Sequence, residues 1–309
     1  MSRWSVLGSG VTGLCVATAL AEAGEQLEII TAEQLCPASH WAGGMLAPFC
    51  EGESAPEEVI ALGQRAADWW QAHVSGVERQ GTLVVAPPRD SLELDRFARM
   101  TQSHRWVDPG SVEARLAGRF SRGLFFPDEG HLDPRQALAE LRQKLLASGV
   151  DIHSGRPSGR IVDCRGIHAA QQLPSLRAVR GEMLILQSSE VHFSRPIRLL
   201  HPRFPCYLVP RSGGRFMLGA TMVESSDDSP ISARALMELL SAAYTLDPAL
   251  AEARVIETGS GLRPSYPNNV PDIRYRDGTF YVNGMYRHGF LLAPAMAETL
   301  LQRLSQETH

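Results

Sequence analysis

The chain has 309 residues, 44% of them hydrophobic and 21% charged, with a formal charge of −4. That length suits one large or two interlocked domains with a full core, and a mild acidic balance without a basic block offers nucleic acid nothing to hold. No apolar run approaches the roughly 18 residues of a membrane span, and the first strand begins at Trp4, which leaves no room for a signal peptide, so a cytoplasmic location is expected.

Trp4-Ser5-Val6-Leu7 reads as a strand, and Gly8-Ser9-Gly10-Val11-Thr12-Gly13 follows at once. Leu14 to Ala23 then reads as a helix stopped by Gly24, and Leu27-Glu28-Ile29-Ile30 as a second strand. Strand, Gly-rich turn, helix, strand is the context in which G-x-G-x-x-G signals dinucleotide binding. Gly8 makes the tight turn, Gly10 lets backbone approach a diphosphate, and Gly13 lets helix and strand pack. The free N–H groups and positive dipole end of the helix then face the phosphates. An acidic ribose ligand should close the second strand. That place is held by Thr31, with Glu33 two residues on, which weakens a reading of NAD more than one of FAD.

The segment from Thr31 to Cys50 is long for a connection without structure, and such segments are usually functional. Its small residues, Ala42-Gly43-Gly44-Met45-Leu46-Ala47-Pro48, suit a backbone wall against a flat ring; the plainer alternative is a surface crossover. Glu57 to His73 reads as one helix whose apolar stripe includes Trp69 and Trp70, core rather than cofactor box. Thr82 to Ala86 is strand-like, Ser91 to Met100 an amphipathic helix, Ser111 to Leu116 a short one, and Gly123 to Phe126 a strand. Asp133-Pro134 is a clean helix start for a helix running to Ser148. Strands follow at Val150 to His153 and from Ile161. From Arg180 strands dominate: Glu182 to Leu186, Arg198 to His201, and Cys206 to Pro210 with Phe216 to Ala220, the last two a hairpin. Ser232 caps a helix to about Leu246. Ala253 to Thr258 is a strand leading into Gly259-Ser260-Gly261-Leu262-Arg263-Pro264. Phe280 to Asn283 leads into a Gly-bounded turn, Gly284 to Gly289, and Leu291 to Leu304 closes the chain. The expectation is an α/β fold: a Rossmann-like nucleotide domain (1–80, 130–175 and 255–309) interleaved with a β-rich substrate domain (81–129 and 176–254).

The five cysteines, Cys15, Cys36, Cys50, Cys164 and Cys206, form no C-x-x-C pair, and the histidines form no H-x-x-x-H. Neither a disulfide framework nor a metal site is expected; Cys15 and Cys206 read as small buried apolar residues. There is no G-x-S-x-G and no G-x-x-x-x-G-K-[ST], which leaves redox chemistry carried by a cofactor. Arg263 and Arg287 stand beside restrictive backbone. Arginine is costly to bury without an anion, and its planar fork matches a carboxylate; the alternative for each is a structural ion pair.

Taken together, Gly8–Gly13, Ala42–Pro48, Tyr207-Leu208-Val209-Pro210-Arg211 with Gly219-Ala220-Thr221-Met222, Gly261–Pro264 and Arg287-His288-Gly289-Phe290-Leu291-Leu292-Ala293-Pro294 carry a resemblance over nearly the whole chain. The chain resembles the D-amino acid oxidase family of flavoproteins, closest to its glycine oxidase branch linked to thiamine biosynthesis. The resemblance implies FAD without a covalent link, and oxidative deamination of a small amine acid with O2 as partner. It implies catalytic or substrate roles for Arg263, which would hold the carboxylate, and for Arg287, Tyr207 and Met222. Cofactor positions are Gly8, Gly10, Val11, Thr12 and Gly13; Thr31 and Ala32; Ala38, Ser39, Gly43, Gly44 and Met45; and Met285, Tyr286, Arg287, His288, Gly289, Phe290 and Leu291. Three departures bear on substrate preference and FAD affinity: Thr31, a last turn reading Met285-Tyr286-Arg287-His288 where the family has His-Tyr-Arg-Asn, and a short stretch from Ile152 to Arg165. A sarcosine or D-amino acid oxidase or dehydrogenase of the same fold, and a non-catalytic nucleotide-binding module, are the alternatives. No nucleic acid or membrane partner is expected, and a homo-oligomer is left open.

Overall fold

In the computed structural model, which describes residues 3–32 and 38–307, the opening unit forms as its spacing predicts. Strand Trp4–Leu7, helix Val11–Glu22 and strand Leu27–Ile30 follow one another. The two strands pair in parallel, Trp4 opposite Leu27 and Leu7 opposite Ile30. The helix is small and apolar all round, and it is buried from Val11 to Leu20. That pattern belongs to a helix covered on every side; the closing helix, Gly289–Glu307, is one of its neighbours. Glu33 and Cys36 lie outside the described residues.

The first sheet has six strands, in the order Asp272–Arg276, Thr279–Asn283, Arg160–Asp163, Trp4–Leu7, Leu27–Ile30 and Asp151–His153. All its pairs are parallel except the outermost, where Asp272–Arg276 runs against Thr279–Asn283. The carboxyl ends of the parallel strands lead to Gly8, Thr31, Cys164 and Gly284, which puts the crevice of a doubly wound sheet at that edge. The Asp272–Arg276 strand has no sequence forecast, because as a polar edge strand it lacks the apolar signal of the others.

The second sheet has nine strands and is mostly antiparallel. Its longest pair is Arg177–Gln187 against Arg254–Ser265, with Val179 opposite Arg263. The Cys206–Arg211 and Arg215–Gly219 hairpin forms as forecast, with Tyr207 opposite Gly219. Residues 254–265 form one continuous strand of this second sheet, across the expected domain boundary at 255. Gly259 and Gly261 do not end it. A Cβ on Gly259 would lie 2.2 Å from the Trp41 ring, and one on Gly261 3.2 Å from it, so these glycines make room for an indole lying across the strand. The helix forecast over 57–73 is also two helices, Glu57–Gly63 and Ala66–His73. Their apolar stripe continues across the break, and a Cβ on Gly63 would meet Leu291 of the closing helix at 2.7 Å.

The segment 38–51 holds a 3-10 turn at Ala38–Trp41, a two-residue strand at Met45–Leu46 and a short helix at Pro48–Glu51. Asp133 caps the Pro134–Ala147 helix through Arg135 N–H at 2.9 Å. Four cysteines, Cys15, Cys50, Cys164 and Cys206, are buried and unbridged. Among the described residues no helix is long and apolar enough to cross a membrane.

Candidate active site

A single cavity of about 1340 Å³ runs from the opening glycine turn to the far arginines. It exceeds the ~300–1,000 Å³ of ordinary small-molecule pockets, which suits a dinucleotide with a small molecule at one end. The near end is made of backbone. Gly8 has φ +102, and a Cβ there would lie 2.9 Å from the Cys164 carbonyl oxygen. Gly10 precedes the helix with no side-chain cap, while Val11 N–H donates to Ser39 Oγ at 3.1 Å. Gly8, Gly10, Val11 and Thr12 all face the cavity. Gly13 does not. A Cβ at Gly13 would sit 1.9 Å from the Gly8 carbonyl oxygen, so this glycine lets the helix touch the strand, and its effect on a ligand passes through that packing. Thr31 and Ala32 line the same end, and Thr31 Oγ1 shares a hydrogen bond of 2.9 Å with Ser9 Oγ. The hydroxyl in the place of the missing carboxylate therefore already has one partner.

The middle of the cavity is walled by Ala38, Ser39, Gly43, Gly44 and Met45. Gly44 has φ +70 and a Cβ there would meet the Leu132 carbonyl oxygen at 2.3 Å, while one on Gly43 would meet the Tyr207 ring at 2.7 Å. The wall is thus flat because neither position has space for a side chain. These features form a cradle that suits a phosphate-bearing dinucleotide followed by a planar ring system.

At the far end the Gly284–Gly289 turn meets the Arg254–Ser265 strand. Tyr286, at φ +50, donates its N–H to the Pro264 carbonyl at 2.8 Å. The two arginines therefore share one frame. Met285, Tyr286, Arg287, His288, Gly289 and Phe290 all line the cavity, as does Leu291. Arg263 extends over Gly181, where a Cβ would lie 2.1 Å from its Nη2. Its Nη1 donates to the Thr221 carbonyl at 3.0 Å. Burial lowers its pKa from the usual guanidinium range, and Tyr207 beside it works the other way. Burial likewise raises the Tyr207 phenol.

Five arginines line the cavity. Arg96 is held by Glu53 and Glu93, Arg165 by Asp163, Arg198 by Glu53, and Arg287 by Glu51. Among the described residues Arg263 has no carboxylate partner. Local sequence leaves a structural ion pair open for both Arg263 and Arg287, and the structure separates them. Arg287 Nη2 lies 2.5 Å from Glu51 Oε2 and 2.8 Å from Ser54 Oγ. Burial would raise the Glu51 carboxyl, but Arg287 foremost among nearby groups holds it down to about 2. The ion pair is close without hydrogen-bond alignment, since neither Glu51 Oε2 nor Arg287 Nε makes a hydrogen bond. His288 Nδ1 is 3.5 Å from the same carboxylate. Burial lowers His288 to about 4, so it is neutral at pH 7. Met222 is 49% exposed, and its sulfur sits 3.5 Å from both the Tyr286 hydroxyl and Arg287 Nη1. It stands at the rim of the cavity.

Glu51 and Trp41 are two of the lining residues that local sequence does not single out. Gly259 and Gly261 hinted at Trp41, since paired glycines in a strand mark a close neighbour. Nothing local marks Glu51; only the fold brings it to Arg287.

A family model described as FAD dependent oxidoreductase matches residues 3–303. A Rhizobium etli protein assigned as the thiamine biosynthesis oxidoreductase ThiO is 54% identical, with 99% of this chain and 97% of that protein covered. Glycine oxidase of Geobacillus kaustophilus is 26% identical, covering 94% of this chain and 89% of the relative. A crystal structure of glycine oxidase from that organism superposes with a TM-score of 0.83 at 21% identity, over 99% of this chain and 95% of that one. The cradle built by Gly8, Gly10, Gly43 and Gly44 fits the cofactor this similarity entails. The chain belongs to the DAO family of FAD dependent oxidoreductases, and FAD is its cofactor.

Proposed function

We propose that the protein oxidises glycine, or another small amine acid, to the imine and thence to the 2-oxo acid and ammonia, with O2 reduced to hydrogen peroxide. The observation that carries this reading is Arg263, a half-buried cation on the cavity wall with no carboxylate of its own among the described residues. A substrate carboxylate completes that site with charge-assisted hydrogen bonds. Bound FAD supplies the two-electron acceptor. The protein supplies placement. Gly8, Gly10 and the helix start at Val11 would hold the diphosphate, with Thr31 and Ser9 near the ribose. Gly43, Gly44 and Met45 would back the ring. Arg263 would fix the substrate by its carboxylate and so orient its α-carbon toward the ring. The Tyr207 hydroxyl stands beside the guanidinium and limits how the carboxylate turns. Met222 and Tyr286 narrow the rim, which favours a small side chain.

The similarity to the Rhizobium etli protein supports a further step, in which the imine of glyoxylate feeds thiazole formation for thiamine. Oxygen uptake and peroxide release on FAD-loaded protein, with glycine, sarcosine and D-alanine compared, test the reading. Turnover highest on glycine supports it. Turnover on none of the three, with FAD bound, contradicts it.

A further inference from the structure

The Glu51–Arg287 pair is built into the cavity wall but has no part in holding the first carboxylate. Its position gives it a different task. We infer that Glu51 sets the charge of the substrate: by occupying Arg287 it leaves one guanidinium, Arg263, open to a carboxylate, so the pocket takes amine acids with one anionic group and rejects those with two. This rests on the reading that Arg263 receives the first carboxylate.

Three observations lead there. Arg263 and Arg287 are close enough that the charge of Arg287 opposes that of Arg263, and the Tyr286–Pro264 hydrogen bond of 2.8 Å fixes one relative to the other. A molecule with two carboxylates could therefore reach both. Arg287 has Glu51 as its carboxylate partner at 2.5 Å, and its Nε is buried with no hydrogen bond. It is a guanidinium already neutralised yet not saturated. Glu51 lines the cavity beside Arg287, so a second substrate carboxylate approaching this guanidinium faces a carboxylate already in place. Rejection by an opposing like charge in a dry site is the repulsive half of specificity.

Removing the charge of Glu51 need not dismantle the wall. Arg198, whose Nη1 lies 3.6 Å from Glu51 Oε1, keeps Glu53 at 3.1 Å, and Arg287 keeps Ser54 at 2.8 Å. Glu51→Gln frees Arg287 for an anionic ligand.

The probes are glycine and iminodiacetate, which is glycine with a second carboxymethyl group on its nitrogen. Their kcat/KM ratio, and their dissociation constants read from flavin absorbance, are measured for the wild type, Glu51→Gln and Glu51→Gln/Arg287→Met. The ratio of iminodiacetate to glycine is expected to rise at least tenfold in the single variant and to fall back in the double variant. A ratio unmoved in Glu51→Gln, or a gain that survives loss of Arg287, overturns the proposal. Arg287→Met alone gives an independent arm. It leaves Glu51 with Arg198, 3.6 Å away, as its remaining cation, so 2,3-diaminopropionate, with its extra cation, should gain at least tenfold over glycine; no gain there also counts against the proposal. Loss of glycine binding in the wild type itself would instead strike the Arg263 reading beneath it, and the dissociation constants separate the two failures.

Discussion

The two ends of the cavity are built by different means. The glycine end is made mainly by one contiguous segment, Trp4 to Ala32, and acts through backbone: a φ of +102 at Gly8, a helix start without a side-chain cap, and a glycine at position 13 where any Cβ would collide with Gly8. The arginine end is made of side chains from distant parts of the chain. Arg263 comes from a long strand, Tyr207 from a hairpin, Arg287 from the last turn, and Glu51 from a short helix near the start. Backbone devices bind what every member of a chemical class shares, here a diphosphate. Side chains meeting across the fold decide which small molecule is admitted. A change at the first end should abolish cofactor binding and fold together, whereas a change at the second should alter substrate use and leave the cofactor in place.

The largest effect is expected at the glycine end. Gly13→Ala places a methyl 1.9 Å from the Gly8 carbonyl oxygen, and neither backbone has room to give. Overpacking of this kind costs roughly 3 kcal/mol or more. The variant should purify colourless with a lowered melting temperature; a yellow protein with wild-type stability would show that the near end tolerates what its geometry forbids.

A second effect lies under the arginine end. Glu129 is buried, accepts the Cys50 N–H at 2.7 Å and so props the helix that bears Glu51. Burial pushes its carboxyl up to about 8. A carboxyl raised in the fold makes the folded state hold a proton that the unfolded state has released. Stability therefore falls as pH rises from about 4.5, the ordinary value, to about 8. Glu129→Gln removes the titration, so the stabilities of wild type and variant from urea unfolding should diverge across that window, by on the order of 4–5 kcal/mol at its top. Parallel pH profiles would mean that the carboxyl is not held neutral.

A smaller effect is expected at Tyr207. Tyr207→Phe removes the hydroxyl beside Arg263 and leaves the ring against Gly43. A single hydrogen-bonding group is worth about 1 kcal/mol, so KM for glycine should rise severalfold with FAD content unchanged. Lost FAD would place Tyr207 among the residues that hold the cofactor instead.

The same contrast explains what could be read from the sequence. Gly8–Gly13 was legible because its signal is local: strand, turn and helix stand side by side, and each glycine has a steric reason. All the forecast site residues except Gly13 line one cavity, and Arg263 is unpaired among the described residues as its setting suggested. Local sequence alone does not separate Arg287 from Arg263, because it shows the cation and not its partner; Glu51 is an ordinary acid in a short helix until the fold closes. The break between Gly63 and Ala66 was hidden for a similar reason. The apolar stripe runs on through it, and the glycine beside it packs on Leu291 from the opposite end of the chain. The edge strand Asp272–Arg276 is only five residues long and three of them are charged, which hides the alternation of Ile273 and Tyr275, and the strand through Gly259 and Gly261 was cut short because its glycines look like a turn when Trp41 is out of view.

The most direct test of the division between the two ends is Arg263→Ala assayed for FAD content and glycine turnover in the same preparation. Removing one partner of a buried charge-assisted pair costs on the order of 2–5 kcal/mol, so kcat/KM should fall by about 30-fold to several thousand-fold while the protein keeps its flavin absorbance. A variant that turns over glycine as the wild type does, or that loses the flavin along with activity, would contradict the account.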